Sequence, residues 1–256
     1  VTADGGGITL KGATDKTFNW SNSTGSWTSS ENIDLASGKV LKINGTEVLS
    51  ANAYTGSAAK WTNARTITLG GDHFITLPIL RAYAAKYGPM SVIQFDAHSD
   101  LWADDDMSRI DHGTFMYKAV KLGLVDVTRS VQIGIRTECD DCLGMPYIDA
   151  REVHEKGAAY VVDKVKKIVG ASPTYVTFDI DALDPAFAPG TGTPVWGGLA
   201  SWQTAAILRD LAGINCVGGD VVEVSPPYDS GNVTAVAGAH VAMELCCLAL
   251  WNKRKK

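Results

Sequence analysis

From residue 61 onward the chain repeats one pattern: a short apolar run ends in polar or glycine residues, and a helix-spaced stretch follows. The apolar runs fall at 66–69, 91–95, 130–135, 175–178 and 216–222, each the length of one buried strand. Between them, residues 76–87, 114–122, 160–169 and 202–211 carry apolar positions at helical spacing. Strands alternating with helices predict an α/β fold with a mainly parallel sheet covered on both faces. The last such segment, 237–250, is apolar almost all round and is expected to be a buried helix.

Residues 1–60 have a different texture, rich in Ser, Thr, Asn and Gly and without proline. Alternating runs such as Lys16-Thr17-Phe18-Asn19-Trp20 and Lys39-Val40-Leu41-Lys42-Ile43 read as hairpin strands, and Asn44-Gly45 as a turn. The pattern therefore divides the chain into a small β-rich appendage, 1–60, and an α/β domain, 61–256.

Composition narrows the function. With 45% hydrophobic and 20% charged residues in 256, the chain is that of an ordinary globular protein. A net charge of −5 gives no nucleic-acid footprint, and no basic run suggests a membrane surface. The basic tail Lys253-Arg254-Lys255-Lys256 is short and reads as solvated chain. No stretch approaches the roughly 20 apolar residues of a spanning helix. Neither is a signal peptide visible, and five cysteines fit no paired disulfide plan, so a cytoplasmic location is expected.

Chemistry concentrates where the predicted strands end. Asp96-Ala97-His98-Ser99-Asp100 follows the apolar run 91–95. If the chain stays extended there, Asp96, His98 and Asp100 share one face at the carboxyl end of a parallel strand, where open α/β sheets place their sites. Three ionisable groups so placed need compensation, which a bound cation supplies; the alternative is a solvated loop with incidental charges. The run 175–178 ends the same way, in Asp179-Ile180-Asp181, while Asp184 before Pro185 is expected to shape a turn. A third strand end, Leu69-Gly70-Gly71-Asp72-His73, adds His73, with Asp72 as a cap.

Four aspartates and two histidines suffice for two ions, because carboxylates can bridge. A carboxylate-rich set without thiolate favours Mn²⁺. Such a pair lowers the pKa of a water and presents hydroxide at neutral pH. His112, in Asp111-His112-Gly113-Thr114, can move a proton near neutrality, or is a surface-loop histidine. Glu223 ends another strand, where it can pair with a guanidinium or form a structural ion pair. Cys139-Asp140-Asp141-Cys142 lacks the second pair of a zinc site, and Cys246 and Cys247 read as core. The stretches 137–147 and 189–199 are candidates for shaping the pocket.

These motifs together, GGDH at 70–73, DAHSD at 96–100, HGT at 112–114, FDIDALDP at 178–185 and EVSPPYD at 223–229, resemble the agmatinase branch of the arginase (ureohydrolase) family. The resemblance covers residues from about 65 to 250. It implies a three-layer αβα fold, two manganese ions, and hydrolysis of a small guanidino substrate to urea and an amine, with agmatine to putrescine first. Guanidinobutyrate-like and guanidinopropionate-like compounds are the alternative substrates, and a homo-oligomer is the expected assembly. It assigns His73 and Asp100 to one ion, His98 and Asp181 to the other, with Asp96 and Asp179 bridging. His112 matches the proton-transfer histidine, Glu223 the guanidinium-contacting glutamate, and Asp100 also orients the hydroxide proton. A deacetylase of the same broad fold has no motif of its own here.

Residues 1–60 contain none of the family's glycine-, arginine- and proline-rich approach to GGDH, so the domain is expected to lack the family's first strand and helix. Phrases such as Lys42-Ile43-Asn44-Gly45-Thr46 resemble instead the repeat segments of phage tail proteins. A non-catalytic viral structural fusion carrying a passenger hydrolase domain is therefore the competing reading.

Overall fold

A computed structural model describes residues 7–23, 25–30, 41–43, 46–50, 53–54, 66–139 and 141–251. The chain divides into two units, Val1–Ser57 and Ala58–Lys256. In the first, β1 (Gly7–Leu10), β2 (Lys16–Ser21) and β3 (Ser26–Ser29) form an antiparallel sheet. Its aromatic side chains meet across the strands: the Phe18 and Trp27 rings stack at 5.5 Å, and Trp20 meets Trp27 edge-on at 6.0 Å. A second antiparallel set comprises β4 (Leu41–Ile43), β5 (Thr46–Ser50) and β6 (Ala53–Tyr54). Lys39, Val40, the Asn44-Gly45 turn and the C-terminal basic tail lie outside the described residues.

The second unit is built on six strands: β7 (Ile67–Leu69), β8 (Ser91–Phe95), β9 (Val131–Ile135), β10 (Tyr147–Asp149), β11 (Thr174–Asp179) and β12 (Cys216–Val222). All pair in parallel, in the order β10-β9-β8-β11-β12-β7. Every residue of β8, β9, β11 and β12 is buried, which is why these strands read as continuous apolar runs rather than alternating ones. Helices α1 (Thr76–Tyr87) and α2 (Phe115–Lys121) lie on one face, where Leu80, Tyr83, Phe115 and Met116 pack with Val92, Tyr175 and Val217. On the other face α3 (Ala150–Val169), α4 (Ser201–Asp210) and α5 (Val233–Trp251) bring Val161, Val165, Ile207, Leu208 and Leu245 onto Ile93, Ile133, Val176 and Phe178. Each such side chain, fully buried, contributes about 1.5–3 kcal/mol. The three-layer αβα fold follows.

Several elements differ from the expectation. The sixth strand, β10, is a three-residue edge strand too short to show a pattern. Helix α3 begins ten residues earlier than its apolar stripe, and Gly157, at φ +78°, interrupts it. That conformation favours glycine, and it separates the two helical pieces. Helix α5 is not buried all round: Gly238, Val241, Leu245 and Leu248 face inward, while Val236, Met243 and Leu250 are exposed. Cys246 and Cys247 are exposed too, not core. At 19 residues α5 is also long and apolar enough, by length and composition alone, to cross a membrane. Its inner face instead packs on the sheet.

Chain order runs outward from β8 through β9 to β10, then returns through α3 to β11 and on to β12. The direction of winding therefore reverses between β8 and β11. That is where an open parallel sheet leaves a crevice at the strands' carboxyl ends, and Asp96 and Asp179 stand on either side of it.

Candidate metal centre

The acids do not reach the crevice by continuing the strands. Strand β8 stops at Phe95 and β11 at Asp179, and tight turns follow. In each turn one carboxylate oxygen accepts a backbone N–H, Asp96 Oδ1 from His98 at 2.7 Å and Asp179 Oδ1 from Asp181 at 2.9 Å, while Asp181 Oδ1 ties the two turns together by accepting from Ala97 at 3.0 Å. Asp and Asn favour such turns because their side chains mimic a backbone acceptor. With Oδ1 so fixed, the Oδ2 atoms are turned toward the histidines. The shared strand face expected for Asp96, His98 and Asp100 is thus replaced by a turn, and Asp100 takes a left-handed φ of +53°. Such a conformation costs about 1–3 kcal/mol in a non-glycine residue; the Tyr117 N–H, donating to the Asp100 carbonyl at 3.1 Å, helps hold it.

His73 Nδ1 lies 3.1 Å from Asp96 Oδ2, 3.1 Å from Asp100 Oδ2 and 3.2 Å from Asp179 Oδ2. None of the three lies in line for a hydrogen bond, so the nitrogen is buried without a directed partner. His98 Nδ1 lies 3.0 Å from Asp181 Oδ2 and 3.5 Å from Asp96 Oδ1. Two groups result, His73–Asp96–Asp100 and Asp96–His98–Asp181, each with ligand atoms within 4.8 Å of one another, and Asp96 belongs to both. Imidazole nitrogens and carboxylate oxygens converging on one buried space are the donor set of a hard or borderline divalent cation. The orphaned Nδ1 of His73 fits that account: it faces three acceptors that repel its lone pair unless a positive charge lies between them.

The electrostatics agree. Burial opposes charging His98, but Asp181 and Asp96 outweigh it and push the ring up to about 10. His73 is likewise held well above the usual imidazole value, against its burial, by Asp100, Asp179 and Asp96. Burial and the charge of Asp96 push Asp100 up to about 7. Asp179 and Asp181 are raised by burial and by neighbouring carboxylates. Asp96 alone falls below the usual range, because both histidines overcome the cost of burying it. Without a cation the cluster must hold extra protons, the position a metal ion can take.

At the rim, Glu223 Oε1 accepts the His73 backbone N–H at 2.8 Å and lies 3.0 Å from His112 Nδ1. The His112 ring, about half-exposed, is raised above its ordinary value because Glu223 outweighs partial burial. Glu223 has φ +62°, and its N–H donates to the Gly71 carbonyl at 2.7 Å. The 70–73 turn and the end of β12 are therefore tied together through the residues that face the site. Asp72 accepts from the Phe74 N–H and caps a short turn. Asp184 accepts from Ala186, Gly197 and Gly198, shaping a loop outside the cluster. Cys139 and Cys142 are free thiols with sulfurs 2.9 Å apart, and join no metal-sized group among the described residues.

Other polar residues around the cluster went unnoticed in the sequence. Gln94 Nε2 donates to Asp96 Oδ2 at 2.7 Å, and Gln132, its register partner on β9, donates to Gln94 Oε1 at 2.7 Å. His73 Nε2 lies 2.8 Å from Thr177 Oγ1, which donates to the fully buried Asp220. Thr193 Oγ1 reaches Asp181 Oδ2 at 3.2 Å. The signal was available: Gln94, Gln132, Thr177 and Asp220 are polar residues inside apolar strands, and a buried polar group needs a partner.

The sequence profile described as the arginase family matches residues 12–247. The chain belongs to the arginase family. An agmatinase of Chromobacterium violaceum is 51% identical over 188 residues, covering 73% of this chain and 58% of the relative. Among solved structures, a hypothetical agmatinase from Burkholderia thailandensis is 55% identical with TM-score 0.74, over 78% of this chain and 65% of that one. Proclavaminate amidino hydrolase from Streptomyces clavuligerus is 39% identical with TM-score 0.73, over 76% and 68%. This arginase-family chain thus spans little more than half the length of the C. violaceum protein it matches.

Proposed function

We propose that this chain is a binuclear manganese amidinohydrolase that cleaves agmatine to putrescine and urea. The observation that carries the reading is the pair of overlapping histidine–aspartate groups sharing Asp96, with the His112–Glu223 pair beside them. His73 and Asp100 would hold one ion, His98 and Asp181 the other, and Asp96 and Asp179 both. Six nitrogen and oxygen donors without thiolate favour manganese. The ions, when bound, supply hydroxide near neutral pH and offset the charge of four buried carboxylates.

The protein's own residues do the rest. Glu223 accepts hydrogen bonds from the substrate's guanidinium, whose planar fork suits a carboxylate. Because Glu223 Oε1 also accepts from the His73 backbone, substrate orientation is linked to the ligand's position. Asp100 orients the proton of the attacking nucleophile. His112, held at Nδ1 by Glu223, delivers a proton to the departing amine. Every residue given a role in this chemistry lies in the second unit, Ala58–Lys256.

A second substrate, a guanidino acid, is favoured by the likeness to proclavaminate amidino hydrolase. A screen for urea release from agmatine, guanidinobutyrate and guanidinopropionate separates the two. Agmatine turned over fastest supports the primary reading; an acid turned over fastest replaces it. A homo-oligomer is the assembly expected from the family, and light scattering measures it.

A further inference from the structure

Asp220, on β12, is a fully buried carboxylate with no lysine or arginine partner among the described residues. Three hydroxyls surround it instead. Thr76 Oγ1 and Tyr175 Oη each donate to Oδ2 at 2.8 Å, and Thr177 Oγ1 donates to Oδ1 at 2.6 Å. Strand register places Thr177 directly beside Asp220. A threonine hydroxyl has one hydrogen and two lone pairs. With that hydrogen given to Asp220, Thr177 offers only a lone pair to His73 Nε2, 2.8 Å away. The ring must therefore donate from Nε2, and a neutral ring then carries its lone pair on Nδ1, the atom facing Asp96, Asp100 and Asp179.

We propose that Asp220, acting through Thr177, is the positioning residue that fixes His73 in the Nε2–H form and so sets the cation affinity of the His73 half of the centre. The inference rests on the metal-hydrolase reading above. A scaffolding role alone, joining α1 to β11 and β12 through Thr76 and Thr177, explains the hydrogen bonds equally well but predicts no preference between the two ions.

Asp220→Asn discriminates between these roles. An asparagine amide turned toward Thr76 and Tyr175 would leave two hydroxyl hydrogens without an acceptor. Turned toward Thr177, it costs neither of those bonds and makes Thr177 accept. The Thr177 hydrogen then points at His73 Nε2, moving the ring proton to Nδ1 and blocking ligation. Thr177→Val removes the acceptor altogether, and Thr177→Ser retains it.

The experiment is Mn²⁺ titration of wild type and the three variants by calorimetry, with electron paramagnetic resonance to tell a coupled pair from a single ion. Metal-free melting temperatures are recorded alongside. Wild type and Thr177→Ser are expected to take up two coupled ions. Asp220→Asn and Thr177→Val are expected to bind one ion normally and the other roughly 10- to 100-fold more weakly, as loss of a metal ligand's hydrogen-bond partner does elsewhere. Unchanged affinity for both ions in Asp220→Asn overturns the inference alone. So does equal weakening of both ions together with a lowered metal-free melting temperature, which is the scaffolding result. If Thr177→Val fails to fold, the comparison of Asp220→Asn with Thr177→Ser still decides. A wild type that binds no Mn²⁺ overturns the metal reading itself, and this inference with it.

Discussion

Replacing Arg136 by methionine should loosen one half of the centre from a position outside both candidate ligand groups. Among the described residues the Arg136 guanidinium forms no direct ion pair, although the charges of Asp181, Asp96, Asp184 and Asp179 act on it. It donates to backbone carbonyls of two loops: Nη2 to Asp181 and Val195, both at 2.7 Å, and Nε to Val195 and Trp196 at 3.1 Å. The Asp181 turn and the 189–199 loop are thereby pinned to the end of β9. A hydrogen bond from a charged group is worth about 1.5–3 kcal/mol. The side chain is partly exposed, and water replaces part of what is lost, so for the two shortest bonds together we expect about 2–4 kcal/mol. At roughly 2–4 °C per kcal/mol for a domain near 200 residues, Tm should fall by about 5–15 °C. Arg136→Lys, with the charge but without the fork, should fall between the two. Calorimetry with Mn²⁺ titration measures both effects, and the ion held by His98 and Asp181 should weaken more than the one held by His73. A Tm within about 1 °C of wild type, or selective weakening at His73, would refute the reasoning.

Other outcomes follow from the same geometry. Asp179→Ala removes one of the carboxylates facing His73 and should leave at most one Mn²⁺ bound and no turnover; a variant retaining two ions by elemental analysis rules out bridging by Asp179. The metal-free protein should lose stability as pH rises. Asp100, raised from its ordinary 3.8 to about 7, contributes stability present below pH 3.8 and lost through pH 7. His98, raised from 6.5 to about 10, contributes stability present below pH 6.5 and lost through pH 10. Between pH 6 and 9 the Tm in chelator should therefore fall, while with Mn²⁺, which requires deprotonated ligands, the stabilisation over chelator should grow. A gap between the two curves that stays constant with pH would count against the cluster's proton load.

Much of this arrangement was legible because the chemistry sits where apolar runs stop. Asp96 and Glu223 follow buried strands, Asp179 ends one, and His73 lies just past the partly buried β7; a parallel sheet gathers those ends on one side. The turns were not legible as geometry: spacing of i and i+2 suggested a shared strand face, whereas Asp96 and Asp179 each use one oxygen to cap the next turn. Nor could the supporting residues be paired, because the register that sets Gln94 beside Gln132 and Thr177 beside Asp220 links segments distant in sequence. Helix α5 shows the converse error. Its apolar residues, placed almost all round, suggested full burial, but only one face meets the sheet, and composition does not say which apolar residues find a partner. The first half of α3 was missed because Gly157 separates it from the apolar stripe that marked the second.

Urea formed from agmatine, measured against the number of Mn²⁺ ions bound per chain, tests the central claim most directly. The account predicts that urea and putrescine appear in equal amounts, that the rate rises to a maximum as the second ion binds, and that chelator abolishes it. Two bound ions with no urea from any guanidino substrate, or urea formed equally well in chelator, would contradict it.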